Sequence, residues 1–322
     1  MSPPIRAARA TQLSGLVAVT VLVLSGCIPT FSEDEALTTV HYDLQDNGRI
    51  VIEARIDDNG PFDFALDTAA SISFVSDAVN ERLGLATVPG ISASVHGLVA
   101  SGLFPMARID RLQIGSEVWA DADIVSIPAS TPATATLDGI LGIDFLRRYA
   151  VGFSPQDRVI RLYPPELVSR RAYSGWASVP LKPRLIGEAE EPLYFFAIRI
   201  GEQTVPALFD LGAGLNMLNP AAAKYLRLST SGGRRRSIVS GALETQSMLA
   251  RLIVEPVTTG SVAWRDEVFL IGDLEIFQTL AYADRPLAIL GSGLFNQREF
   301  VIDFARSRLL VRTGMAEIEL VD

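Results

Sequence analysis

The chain has 322 residues, of which 48% are hydrophobic and 20% charged, a balance that suits a folded protein and argues against long disordered or collagen-like tracts. Thirty-seven acidic against 28 basic residues give a formal charge of −9, so a broad nucleic-acid-binding surface is not expected. One cysteine, Cys27, and two histidines, His41 and His96, exclude an internal disulfide and leave no familiar metal-ligand spacing or Ser/His/Asp motif. No cofactor and no metal are therefore expected, and carboxylates lead as candidates for chemistry.

The first element is an address. Arg6 and Arg9 precede an apolar run from Leu13 to Leu24. A helix of that length spans about 18 Å, short of the roughly 30 Å of a bilayer core. A basic start, a short apolar stretch and small residues after it describe a secretory signal segment, residues 1–26. The ending Leu24-Ser25-Gly26-Cys27 resembles the lipobox of bacterial lipoproteins. The resemblance implies acylation at Cys27 and a chain anchored in the bacterial envelope. Ile28 after the cysteine favours, by the same resemblance, the periplasmic face of the outer membrane. Residues 27–39 read as a polar tether.

Beyond the tether the chain is written twice. Ile50 to Ile52 and Phe62 to Leu66 are strand-like and flank Asp57-Asp58-Asn59-Gly60, a hairpin signal. Tyr194 to Ile200 and Val205 to Phe209 repeat that pair. Phe62 to Ser71 (FDFALDTAAS) matches Val205 to Gly214 (VPALFDLGAG) position by position, aligning Asp67 with Asp210. A helix-like stretch follows each, Val75 to Leu83 and Leu218 to Leu226. Gly142, in GILGIDFL, stands 75 residues after Asp67, and Gly291, in AILGSGLF, stands 81 after Asp210. Each copy closes on a strand, a turn and a strand. The division expected is a lobe at 40–165, a proline-rich linker with an incoming strand at 166–192, and a second lobe at 193–322.

An apolar strand ending in Asp-Thr or Asp-Leu-Gly, followed after some distance by Ile-Leu-Gly, resembles the pepsin/retropepsin-type aspartic peptidases. The resemblance implies an all-β fold of two pseudo-twofold-related lobes with short helices, each lobe giving one aspartate to a shared cleft. Two carboxylates about 3 Å apart cannot both ionise, so one acts as acid while the other activates a water. Asp67 and Asp210 are the expected dyad, in active-site turns Thr68-Ala69-Ala70 and Leu211-Gly212-Ala213. The chain departs from the family at Leu211, where a second hydroxyl residue is usual, and at Ala69, where glycine is usual. Ala70 and Ala213 stand where pepsin-type members carry a hydroxyl, which leads us to expect a mildly acidic optimum. Glycines 30 and 31 residues beyond the aspartates, in His96-Gly97 and Ser240-Gly241, are candidate tips of two cleft-covering hairpins. The reading is an aspartic endopeptidase acting on peptide or protein substrates, monomeric because one chain supplies both lobes. The alternative is a pseudo-peptidase that keeps the cleft to bind an extended peptide or envelope protein, as Leu211 and Ala69 would favour.

Overall fold

The computed structural model describes residues 33–96, 101–128, 137–169, 175–187, 189–228, 236–239, 247–254 and 256–313. The signal segment, Cys27, most of the tether, Gly97, Ser240 and Gly241 lie outside the described residues. Within them the protein is built from strands and short helices, arranged as two similar halves.

In the first half, strands Ile50–Ile56 and Asn59–Leu66 pair antiparallel around a two-residue turn. Asp57 and Asp58 both take positive φ, 47° and 64°, the left-handed pair that matches strand twist in a tight hairpin. Asn59 and Gly60, the second half of the hairpin signal, therefore already belong to the second strand. In the second half, Leu193–Ile200 and Gln203–Phe209 form the matching pair. Each second strand then acquires a parallel neighbour from far along the chain. Leu66 pairs with Leu141 of Gly139–Leu141, and Phe209 with Leu290 of Ala288–Leu290. These strands read as continuous apolar runs because both of their faces are buried.

The two helices expected after the aspartates run Asp77–Leu83 and Pro220–Tyr225, each preceded by a three-residue strand. Ser76 and Asn219 cap them, accepting from the backbone N–H of Val79 and Ala222. A long hairpin, Ala86–His96 with Ser101–Ile114, leaves the first half. A shorter one, Arg236–Val239 with Ser247–Ile253, leaves the second.

The halves meet in one six-stranded antiparallel sheet. Thr38–Leu44, Val159–Tyr163 and Ala150–Ser154 come from the first half; Phe300–Asp303, Arg308–Arg312 and Trp176–Pro180 come from the second. At the seam Val151 faces Ile302, Gly152 faces Val301 and Phe153 faces Phe300, whose ring stacks on it at 4.5 Å. A side-chain carbon on Gly152 would lie 2.9 Å from the Tyr163 ring, so glycine is needed there for space. The segment 166–192 holds most of a helix, Pro165–Ser169, and two strands, Trp176–Pro180 and Lys182–Arg184. Its first strand does for the second half what Thr38–Leu44 does for the first, closing the sheet's outer edge on the last strand of its own half. Thr38 and Thr39, placed in the tether by the sequence, are already in that strand.

Candidate active site

Both aspartates sit one residue past an apolar strand, where the ladder ends and the chain must turn. The Asp67 N–H still donates to Leu141 O and the Asp210 N–H to Leu290 O, each at 3.0 Å. That last rung fixes the Cα, and the turn fixes the carboxyl. Asp67 Oδ1 accepts from the N–H of Ala69 at 2.7 Å and of Ala70 at 3.0 Å. Asp210 Oδ1 accepts from the Ala213 N–H at 2.9 Å, with a further backbone contribution from Gly212. The donors are backbone N–H groups, so alanine at 70 and 213 supplies these bonds without a side-chain hydroxyl.

The Ile-Leu-Gly segments hold the turns from behind. Ile143 N–H donates to Ala70 O at 2.8 Å, and Ser292 N–H to Ala213 O at 2.7 Å. A side-chain carbon on Gly142 would lie 2.7 Å from Ala70 O, and one on Gly291 2.5 Å from Ala213 O. Both glycines permit a close backbone approach, and neither is needed for a left-handed angle. Ser73 and Asn216, each six residues past its aspartate, receive the N–H of Gly142 at 2.9 Å and of Gly291 at 3.0 Å.

The structure brings the two turns face to face. A Cβ built on Gly212 would lie 2.3 Å from Asp67 Cγ, so the backbone of one turn lies against the carboxyl of the other. Thr68 Oγ1, fully buried, donates to Phe209 O at 2.9 Å and accepts from Leu211 N–H at 3.0 Å. One hydroxyl thus makes both of these cross-lobe bonds, while the Leu211 side chain lies wholly in the apolar core. Ala69 has no positive φ, so its methyl costs no left-handed strain, and it packs beside the cluster of Leu193, Phe195 and Leu208 in the other half.

Burial dominates the electrostatics. Asp210, 5% exposed, has its carboxyl pushed well above the ordinary range, first by desolvation and then by the Asp67 charge; Ala213 N–H, Gly212 N–H and Arg49 offset part of this. The Asp67 carboxyl is also raised by burial, against the lowering effects of Ala69 N–H, Arg49 and Ala70 N–H. Such a pair retains one shared proton where ordinary carboxyls have lost theirs.

Arg49 is the cation that acts on both carboxyls, and sequence reasoning passed over it. Gln45 N–H donates to Arg49 O at 3.0 Å and Arg49 N–H to Asn47 Oδ1 at 3.0 Å, which folds residues 45–49 into a tight turn. That turn wedges against the opposite half: a Cβ on Gly214 would meet Asn47 O at 1.6 Å, and Ser292 Oγ donates to Gly48 O. The half-buried Arg49 makes no ion pair among the described residues. Its matched position, 18 residues before Asp210, is Pro192, so the internal repeat carries no sign of it. Ser73 and Asn216 did leave a signal, since both are polar residues at the same offset from their aspartates.

The two hairpins reach the candidate covers from their strand ends. His96 pairs with Ser101 and Val239 with Ser247, and the residues between, Gly97, Ser240 and Gly241 among them, lie outside the described residues. Among the described residues, no three or more His, Cys, Asp or Glu side chains gather as a metal site.

No curated protein matches the chain. A family model described as aspartyl protease matches it twice, over residues 52–145 and 196–293. Each match runs from the first strand of the pair that leads to an aspartate to just beyond the glycine behind its turn, and together they cover more than half of the chain. Two matches, one on each of two halves built alike around an aspartate turn, place this chain in the aspartyl protease family.

Proposed function

We propose that the protein is an endopeptidase that hydrolyses peptide bonds with Asp67 and Asp210 as its catalytic pair. The observation that supports this most directly is the apposition of Gly212 to the Asp67 carboxyl, which brings the aspartate-bearing turns together around a pair that favours one shared proton. The ionised member takes a proton from a water, whose oxygen attacks the peptide carbonyl carbon. The protonated member donates to the carbonyl oxygen, giving a tetrahedral diol. Collapse re-forms the carbonyl, breaks the C–N bond and returns a proton to the leaving amine. No residue forms a covalent bond to substrate. The hairpins carrying His96-Gly97 and Ser240-Gly241 are read as covers that exclude water while substrate is bound. In this reading the mature chain is monomeric and is held in the bacterial envelope by a lipid on Cys27.

Incubation of the purified protein with casein and a peptide library, followed by mass spectrometry, tests the chemistry. Wild type should cut internal bonds. Asp67→Asn and Asp210→Asn should each reduce cutting by at least about 10³-fold without loss of fold, because the shared proton needs both members. Binding of peptides without any cutting by wild type would replace this reading with the peptide-binding one. Detergent partitioning of Cys27→Ser against wild type tests the anchor, and equal partitioning would remove it.

A further inference from the structure

The two glycine loops are held by different chemistry. In the first half, Ser73 Oγ accepts from Gly142 N–H and donates to Asp144 Oδ1 at 2.6 Å, while Ser73 N–H donates to Asp144 Oδ2 at 2.8 Å. Asp144 lies two residues past Gly142. The matched residue in the second half is Gly293, and a side-chain carbon there would sit 2.9 Å from Gly214 O. No carboxylate fits at that position. Asn216 instead receives one from the segment before strand Val268–Ile271: its Nδ2 donates to Glu267 Oε2 at 3.1 Å, and Gln297 Nε2 donates to Glu267 Oε1 at 2.8 Å. Glu267 is 6% exposed and Asn216 4%.

We infer that Glu267 is a positioning residue for Asp210, acting as the acceptor that fixes which way the Asn216 amide points. An amide has a donor end and an acceptor end, and only one orientation offers Oδ1 to Gly291 N–H. Glu267 favours that orientation because a carboxylate on the other side takes only the NH₂ end, which also makes a longer contact to Val268 O at 3.5 Å. From Asn216 the order passes through Gly291 to its neighbours, Leu290 O accepting from Asp210 N–H and Ser292 N–H donating to Ala213 O. Ala213 N–H completes the path on Asp210 Oδ1. Burial and Asp266 raise the Glu267 carboxyl, while the Gln297 and Asn216 donors lower it.

This inference rests on the peptidase reading, and its test separates the two. Asn216→Asp sets two carboxylates against each other, whereas Asn216→Asp with Glu267→Gln restores a donor–acceptor pair of reversed polarity. The single variant should lose about 10–100-fold in kcat with KM within about threefold, the loss growing as pH rises and both carboxylates ionise. The double variant should return to within about threefold of Glu267→Gln alone, whose partner Gln297 is exposed and free to turn its amide. Carboxyl-carbon NMR of Asp67 and Asp210 should show the dyad's titration displaced in the single variant and restored in the double. That signal persists even in a protein that cuts nothing, so an inactive wild type fails the peptidase reading alone. An unchanged kcat and titration in Asn216→Asp, or no restoration in the double variant, would overturn the inference. If Asn216→Asp does not fold, Glu267→Met takes its place in the same measurements. Unchanged values in that variant, or its own failure to fold, would assign the trio to stability only and equally overturn the inference.

Discussion

The turn at Asp67 and the turn at Asp210 share their hydrogen-bond plan and differ in what surrounds it. Thr68 reaches across to the opposite backbone, while Leu211 turns into the core. Ala69 tolerates a methyl where Gly212 has no room for one. Arg49 lowers both carboxyls from the first half, and Pro192 stands at its matched position. A duplicated frame therefore needs to keep only the parts that fix the two carboxyls. The remainder is free to specialise.

The largest effect should come from disturbing the closest approach. Gly212→Ala forces a methyl onto the Asp67 carboxyl and should lower kcat/KM by about 100-fold or more. Ala69→Gly, the mirror change, should stay within about fivefold, since it removes only a methyl and adds backbone freedom. Steady-state kinetics of the pair would break the comparison if both behaved alike.

Next in size is the brace. Thr68→Val leaves the Phe209 carbonyl and Leu211 N–H buried without their partner, at about 1–3 kcal/mol for each. Denaturant melts should show a loss of about 2–6 kcal/mol. Leu211→Thr trades apolar packing for a hydroxyl whose bond is worth about 0.5–1.5 kcal/mol, so its turnover should change by no more than about tenfold.

A smaller effect concerns stability against pH. Both folded carboxyls hold protons more tightly than in the unfolded chain. Their contribution is complete below the unfolded value of about 3.9 and is lost as pH rises through the folded values. Asparagine stays neutral and removes that loss. Asp210→Asn should thus melt higher than wild type at neutral pH, by a few degrees or about 2–4 °C per kcal/mol, and level with it in acid. Asp67→Asn should move in the same direction, since its carboxyl is raised too. Calorimetry at two pH values checks both.

The smallest is Arg49→Gln. The guanidinium lowers both carboxyls, so its loss should move both limbs of the rate profile to higher pH while the plateau changes by less than about threefold. A profile that stayed in place would remove Arg49 from the site.

The two-lobed fold was legible because the duplication doubled every weak signal: an aspartate after an apolar strand means little once, but a second copy in matching order carries its own confirmation. Asp67, Asp210, Gly142 and Gly291 were visible for that reason. Arg49 and Glu267 were not, since each belongs to one half only and reaches its place through a tertiary contact. Of the hairpin signal Asp57 to Gly60, Asp57 and Asp58 alone form the turn, because they take left-handed angles and Asn59 already pairs with Ile56. Asp144 lay in the quoted GILGIDFL segment, but its role depends on Ser73, which is 71 residues away.

The seam of the six-stranded sheet carries a consequence for ancestry. Val151 opposite Ile302 and Phe153 opposite Phe300 are the same crossing seen from its two ends, and the centre of that crossing is Gly152 opposite Val301. A dimer of identical chains must set each central residue against itself, glycine on glycine or valine on valine. Covalent fusion lifts that constraint. The mixed pair, a glycine that leaves room for the Tyr163 ring beside a valine from the other half, is a combination open only to a single chain.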